Sequence, residues 1–381
     1  MSNYVSSWMD DELKVLRDAV YQFYAEEFAP NEEKWKAQGM VDRDAWYKAG
    51  EMGILCPSIP EEYGGAGGTF AHETVISEEL CRAGVSSFGS GIHSIVSHYI
   101  LAFCNEEQKK KWLGEMIAGE KIGAIAMTEP GAGSDLQGVT TTAVRDGDSY
   151  LINGSKTFIT NGYLAELIIV VAKTDKAKGA KGTSLFMLDT RDLDGFSRGK
   201  PLKKIGMNGC DTTELFFDNV RIPVENLIGP EEGQGFIQLM QQLPFERLLL
   251  AVSAVACMEA AVEETVKYVK ERKAFGKAIM DFQNTRFKLA ECETEARIAR
   301  VFLDHCIEQL MIGKLDSTTA SMAKYWCSQK QCEIVDECLQ LFGGYGYMME
   351  YPIANMYVDS RVQKIYGGTN EIMKEMIARS L

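Results

Sequence analysis

The sequence predicts an α+β fold laid out in three successive parts. These are an N-terminal α-helical domain (residues 1–120), a central antiparallel β domain (121–233) and a C-terminal helical bundle (234–381). Three observations carry the prediction. In the outer parts, apolar residues recur every three to four positions, as on a buried helix face. The middle part breaks into short runs rich in β-branched and aromatic residues, divided by polar turns. With 381 residues, 46% hydrophobic and 25% charged, the chain has ample apolar material for a large core, and about 150 residues per domain gives two to three domains.

Each element has a local reason. Asp10 or Asp11 can cap a first helix, in which Leu13, Leu16, Val20, Phe23 and Tyr24 follow at helical spacing. Further helices are expected over 44–52, 73–81, 86–103 and 106–117, the last capped by Asn105. A glycine-rich loop fills 59–68. Residues 122–127 form a short apolar run, and strands are expected at 140–144, 150–153, 156–160, 167–172, 183–188 and 213–217, with Asp146-Gly147 and Asn153-Gly154 as hairpin turns. After the glycine-rich stretch 228–235, a long helix over 236–272 is expected to bend near Pro244. Helices over 282–312, 316–341, 353–363 and 371–378 complete the chain.

Composition excludes several classes. Forty basic residues against 54 acidic ones give a net charge of −14, which argues against a nucleic-acid partner but leaves room for a local basic pocket. No run of 18 apolar residues exists, so no membrane span is expected. Met1-Ser2-Asn3-Tyr4 does not open a secretory signal. Lys14 and Arg17 are the only basic side chains in residues 1–30, so no transit peptide is expected. This suits a bacterial cytoplasmic protein, or a processed mature form in the mitochondrial matrix. The ten cysteines are scattered, with no CxxC pair, and read as reduced thiols; neither they nor His72, His93, His98 and His305 show a metal-ligand spacing.

Four loops could carry chemistry. Met127-Thr128-Glu129-Pro130-Gly131-Ala132-Gly133-Ser134-Asp135 follows an apolar run. Its glycines let backbone N–H groups approach a ligand, and Thr128 and Ser134 offer hydroxyls; a plain turn explains it too. It is not the GxGxxG fingerprint, and no βαβ pattern surrounds it. Phe158-Ile159-Thr160-Asn161-Gly162 sets an aromatic beside a hydroxyl at a strand end, suited to a flat cofactor or to a core. Leu341-Phe342-Gly343-Gly344-Tyr345-Gly346-Tyr347 reads as a C-cap turn. Tyr366-Gly367-Gly368-Thr369-Asn370-Glu371 leads into the last helix, with Thr369 or Asn370 as its cap, and is a ready site for a polar ligand.

Singly each loop has a mundane reading. Their order is specific. Met127–Asp135, Phe158–Gly162, Arg272-Lys273-Ala274-Phe275-Gly276-Lys277, Gln340–Gly344 and Tyr366–Ile372 succeed one another as in acyl-CoA dehydrogenases. The sequence resembles that flavoprotein family over essentially its whole length, and Arg361–Met373 looks most like the long-chain members. The resemblance implies FAD between the β domain and the C-terminal helices. Ile125, Met127, Thr128, Gly133 and Ser134 would follow the flavin edge, with Phe158 and Thr160 on the other side of the ring system. Arg272, Gln283, Gln340, Gly343 and Gly344 would meet the pyrophosphate and adenosine across a subunit interface, and Thr369, Asn370 and Glu371 would also touch the cofactor. A guanidinium forks onto phosphate oxygens, although Arg272 alone reads equally as a solvated charge in Lys270-Glu271-Arg272-Lys273. An acyl-CoA substrate, an electron-transfer flavoprotein as acceptor and a homotetramer, or at least a dimer, are further implications.

The family's reaction takes a proton from the α-carbon of an acyl-CoA thioester and a hydride from the β-carbon to flavin N5, leaving a trans-2-enoyl-CoA. Many members carry the base as a Glu in a Tyr-Glu-Gly-Thr loop. Here that position is Gly367. Isovaleryl-CoA and long-chain acyl-CoA dehydrogenases carry it instead on the helix that opens the C-terminal domain, where this chain has Leu243-Pro244-Phe245-Glu246-Arg247-Leu248. The resemblance therefore assigns Glu246 as base, and the backbone N–H of Gly367 as an oxyanion donor that survives loss of the Glu side chain. Read without the family, Pro then Glu suits the first turn of a helix. Ser134, Pro244, Arg247, Gly367 and Gly368 would meet the substrate, Arg247 on the CoA side. The expected activity is dehydrogenation of a medium- or long-chain fatty acyl-CoA in β-oxidation. The alternatives are a branched-chain enzyme of the isovaleryl type, a reductase of a specialised enoyl-CoA, and a catalytically silent flavin-binding scaffold.

Overall fold

The computed structural model describes residues 4–381. Six helices come first: α1 (Asp11–Phe23), α2 (Glu32–Gln38), α3 (Arg43–Glu51), α4 (Phe70–Arg82), α5 (Ser90–Phe103) and α6 (Glu106–Ile117). Seven strands follow: β1 (Gly123–Ala126), β2 (Thr142–Asp146), β3 (Ser149–Thr160), β4 (Leu167–Lys173), β5 (Thr183–Asp189), β6 (Phe196–Arg198) and β7 (Thr212–Pro223). The chain closes with α7 (Gly235–Glu271), α8 (Gln283–Met311), α9 (Ser317–Phe342), α10 (Pro352–Ser360) and α11 (Asn370–Ala378). Side-chain caps set many of the starts. Asp10 caps α1, Thr69 caps α4, Asn105 and Gln108 close a capping box on α6, Asp316 caps α9 and Thr369 caps α11. Among the described residues no helix is long and apolar enough to cross a membrane.

The strands join one sheet in the order β1-β4-β2-β3-β7-β6, with β5 also on β4. It is mixed rather than purely antiparallel, which corrects the sequence expectation. β1 runs parallel to β4, from Gly123 against Leu167 to Ala126 against Val170, and β2 touches β4 at one parallel position. The whole β2–β3 hairpin intervenes between β1 and β4, a connection long enough for a parallel pair. Asp146-Gly147 makes the expected hairpin turn. Asn153-Gly154 does not: the two short strands expected there are one, β3, which shifts register against β7 at Gly154. That glycine passes so close to Thr141 that a Cβ would overlap it, so it serves a bulge rather than a turn.

β4 explains how the layers assemble. Leu167, Ile169 and Val171 join the core shared with α4, α5, α7, α8 and α9, while Ile168, Val170 and Ala172 join a second core with α2 and α3. Alternate side chains of a strand point to opposite faces, so a strand covered on both faces must be apolar throughout. α5 packs against both β1 and α7, and so couples the sheet to the C-terminal helices.

α7 continues through Pro244. Proline has no N–H to give the carbonyl of Met240, a cost that the surrounding core must outweigh. Because the helix starts at Gly235, Pro244 and Glu246 lie in its interior. The first-turn reading of that pair therefore fails, and helix-end charge preference does not account for Glu246.

Candidate active site

Glu246 is buried in α7, and its Oε1 accepts a hydrogen bond from the Tyr99 hydroxyl of α5 at 2.8 Å. Burial pushes its carboxyl up to about 7, against the Tyr99 hydrogen bond and the Arg247 charge, which both favour the anion. Arg247 points elsewhere. Its guanidinium donates to Ser317 at 3.1 Å and Ser321 at 3.0 Å on α9 and meets Met376 Sδ, while its Nε has no partner. It lies buried behind the helix rather than open beside the carboxylate. A cavity of about 490 Å³ runs along the turn before Glu246, lined by Pro244, Phe245, Gln242, His98 and Phe70 among others.

The loop between α10 and α11 closes on the same face of α7. Gly367 and Gly368 have φ of 63° and 91°, where side chains are strained. A Cβ on Gly367 would overlap Leu250 Cδ1, and one on Gly368 would come within 2.7 Å of Met373 Cε. Leu250 is one helical turn beyond Glu246, so the structure brings Gly367 beside the carboxylate's face of α7. A side chain at 367 would sit on strained backbone and would have to push the Leu250 methyl aside.

A second group gathers at the end of β1. Ile125 and Met127 are half-buried and pack on the core that holds Phe245 and Leu248, while Gly133 and Ser134 are exposed. The loop is tied down by Glu129, which accepts from the backbone N–H groups of Thr140 and Thr141, the Thr140 hydroxyl and the Lys156 ammonium. Lys156 also holds the Met127 carbonyl at 3.0 Å. Burial opposes both charges, yet the lysine and the Thr140 and Thr141 donors keep the Glu129 carboxyl at about 2. Desolvation outweighs the same carboxylate for Lys156, which falls to about 8. Thr157 N–H then bonds the Thr128 carbonyl at 2.9 Å, placing Thr128 beside Phe158 and Thr160 on β3. Phe158 has φ of 59° and is 67% exposed.

A third group lies apart. Arg272, Gln340, Gly343 and Gly344 line an open cleft of about 700 Å³ with Tyr268 and Tyr345. The Arg272 guanidinium sits over the Tyr345 ring, 5.3 Å from its centroid, and has no carboxylate within salt-bridge distance among the described residues. Gln283 is exposed at the first turn of α8, outside that lining. Thr369 caps α11, Asn370 is buried against α9, and Glu371 is exposed.

Residues 10–120, 124–220 and 233–381 match the acyl-CoA dehydrogenase N-terminal, middle and C-terminal domains in turn. The chain belongs to the acyl-CoA dehydrogenase family. It is an oxidoreductase of an FAD-dependent family. Mouse mitochondrial long-chain specific acyl-CoA dehydrogenase is 49% identical over 373 residues, 97% of this chain and 86% of that protein. Potato mitochondrial isovaleryl-CoA dehydrogenase is 34% identical over 376 residues, 98% of this chain and 91% of that one. The crystal structure of an acyl-CoA dehydrogenase from Geobacillus kaustophilus superposes with a TM-score of 0.96 at 47% identity, covering 99% of each chain.

The residues present fit FAD. Phe158 turns an aromatic ring to solvent from strained backbone, beside a loop whose Gly131 and Gly133 have open space above them. In the cleft, Arg272 is a guanidinium without an acid partner, next to Gln340 and two open glycines, a donor set suited to phosphate and adenosine.

Sequence reasoning offers residues in Ser86–Tyr99 as lining of an acyl cavity but does not pair Tyr99 with Glu246, and it misses Lys156 and Lys324. Tyr99 and Glu246 are 147 positions apart, so no spacing links them. Lys324 had a signal: it occupies a core position of α9, in line with the buried Ala320, Cys327 and Gln331.

Proposed function

We propose that the protein oxidises a medium- or long-chain fatty acyl-CoA to the trans-2-enoyl-CoA, with Glu246 as base. The observation that carries this reading is a carboxyl buried on α7 with its proton affinity raised to about 7, near a loop that has glycine rather than a carboxylate at 367. Catalytic bases work best with proton affinities near the operating pH. Glu246 takes the α-proton of the thioester. The Gly367 N–H donates to the thioester oxygen as negative charge builds there, the kind of preorganised donor worth several kcal/mol. The apolar walls of α5 and α7 exclude water, which strengthens both effects. Ser134, Pro244 and Gly368 border the substrate; Arg247 acts from behind the helix through its charge. FAD, held along Ile125–Ser134 and Phe158–Thr160 of one chain and met across the subunit interface by the Arg272 cleft of a second copy, would supply the hydride acceptor.

The greater identity to the long-chain relative than to the isovaleryl one supports a straight, longer chain. An electron-transfer flavoprotein is the proposed acceptor. Phe275 and Tyr347, 95% and 84% exposed near the Arg272 cleft, support a second copy of the chain covering it in a tetramer. The test is anaerobic addition of acyl-CoAs of graded length and branching to the yellow holoenzyme. Fastest bleaching by palmitoyl-CoA is expected. Fastest bleaching by isovaleryl-CoA would move the substrate class, and no bleaching by any acyl-CoA would overturn the reading.

A further inference from the structure

Lys324 of α9 is fully buried, and no carboxylate lies within salt-bridge distance of it among the described residues. Its ammonium donates instead to the Gly368 carbonyl at 2.7 Å and to Asn370 Oδ1 at 3.0 Å. Ser328, one turn further along α9, donates to the same Asn370 oxygen at 3.0 Å. A charge without a counter-ion is costly in a protein interior, and an apolar side chain of similar length would pack there more cheaply. Burial and the nearby Arg247 charge on α7 hold its proton affinity down at about 8, with Glu371 on α11 opposing them.

What the lysine grips is a segment of the site with little stiffness of its own. Gly367 and Gly368 are consecutive glycines with positive φ, and glycine has the widest backbone freedom. The lysine fixes the carbonyl of Gly368 and the side chain of Asn370, while Thr369 caps α11 by accepting from Ile372 N–H. Three successive residues are thereby anchored, and Gly367 is left as a fixed amide over Leu250, a turn from Glu246.

We infer that Lys324 is a positioning residue for the dehydrogenation: by clamping Gly368 and Asn370 it holds the Gly367 N–H on the Glu246 face of α7, ready for the thioester oxygen. The inference rests on the reading of Glu246 and Gly367 proposed above. It predicts a defect in turnover rather than in binding, because the donor matters most as charge develops.

The experiment uses the FAD-loaded enzyme with palmitoyl-CoA. Lys324→Met is expected to keep its flavin and lose about 30-fold in kcat, with KM changed less than about threefold, since small misplacements of site groups cost up to about 100-fold. Lys324→Gln, which keeps an N–H donor one bond short of the ammonium, is expected to recover a part of that loss through Asn370 or the Gly368 carbonyl. Wild-type kcat in Lys324→Met, or equal losses in the Met and Gln variants, would overturn the inference. Should Lys324→Met fail to retain FAD, Ser328→Ala decides. It removes only the neighbouring donor to Asn370, and a fall of about threefold in kcat at constant KM supports the clamp, while an unchanged kcat overturns it. Glu246→Gln in the same assay separates the two readings. If that variant still turns over rapidly, the site reading has failed. If it is inert while Lys324→Met behaves as wild type, only the role of Lys324 has failed.

Discussion

Glu73 and Glu246 are buried to the same extent, each 6% exposed, yet their carboxyls are driven in opposite directions. Burial alone raises both. Glu73, on α4, accepts from Ser58 at 2.7 Å and Ser94 at 2.9 Å, with His98 at 3.6 Å, and these partners together outweigh burial and hold it below the usual carboxylate value. Glu246 has the single donor Tyr99, and burial wins. The His98 imidazole with its charge, and two serine hydroxyls beside it, therefore separate Glu73 from Glu246, not burial itself. One carboxylate is a fixed anion tying the Ser58 loop to α4 and α5. The other, 173 positions downstream in a different domain, is left with an unmet affinity for a proton.

This contrast can be broken. The largest effect is expected from Glu246→Gln, which should slow flavin reduction by about 10³–10⁴-fold in anaerobic stopped-flow absorbance. Near-normal reduction would make Glu246 a second structural carboxylate like Glu73. Glu73→Leu should instead leave Ser58, Ser94 and His98 without their anion and cost about 3 kcal/mol in denaturant unfolding at neutral pH.

The pH dependence of stability sharpens the pair. The Glu73 carboxyl is lowered in the folded state, so its contribution is present above the ordinary value of 4.5 and is lost as pH falls through the lowered one. Glu246 is raised from 4.5 to about 7, so its contribution is present below 4.5 and is lost as pH rises to about 7. At pH 8 the ionised Glu246 then costs up to about 3 kcal/mol. Glu246→Gln is expected to unfold at higher temperature than the wild type at pH 8, with no such gain at pH 4. A variant less stable than wild type at pH 8 would contradict the raised proton affinity.

Gly367→Ala is expected to cost about 1–3 kcal/mol, from positive φ and overlap with Leu250, and to lower kcat by moving the amide. Full stability in that variant would mean that the loop is not packed against α7 as described. The smallest effect tests the one donor that Glu246 has. Tyr99→Phe should shift the acid limb of the kcat/KM profile upward by about one pH unit, or about 1.4 kcal/mol, by removing a hydrogen bond that favours the anion. No shift would mean that the tyrosine only fills space.

Much of the fold was legible because its signals are local. Asp10, Asn105 and Thr369 cap the helices that they precede, and β4 shows its two-sided burial as an unbroken apolar run. The failures have one cause. Asn153-Gly154 looks like a turn at short range, but pairing with β7 on both sides keeps the strand going. Pro244-Glu246 looks like a helix start, but the helix has begun upstream and the core holds it together across the proline. The site divides in the same way. The Met127–Ser134 loop, the Gly367–Gly368 pair and Glu246 stand out in the sequence as motifs, whereas Tyr99 and Lys324 act on partners 147 and 44 positions away.

By itself the sequence determined the order of helical, β and helical parts, the place of the glycine-rich loops, and a glycine at position 367 with a carboxylate at 246. Those properties depend on residue types and near neighbours along the chain. Only the tertiary structure decided that Glu73 is held as an anion while the Glu246 carboxyl is pushed up, that Leu250 crowds position 367, and that a buried lysine holds the glycine loop. Proton affinity and packing depend on what stands within a few ångströms in space, and folding assembles those neighbours from distant parts of the chain.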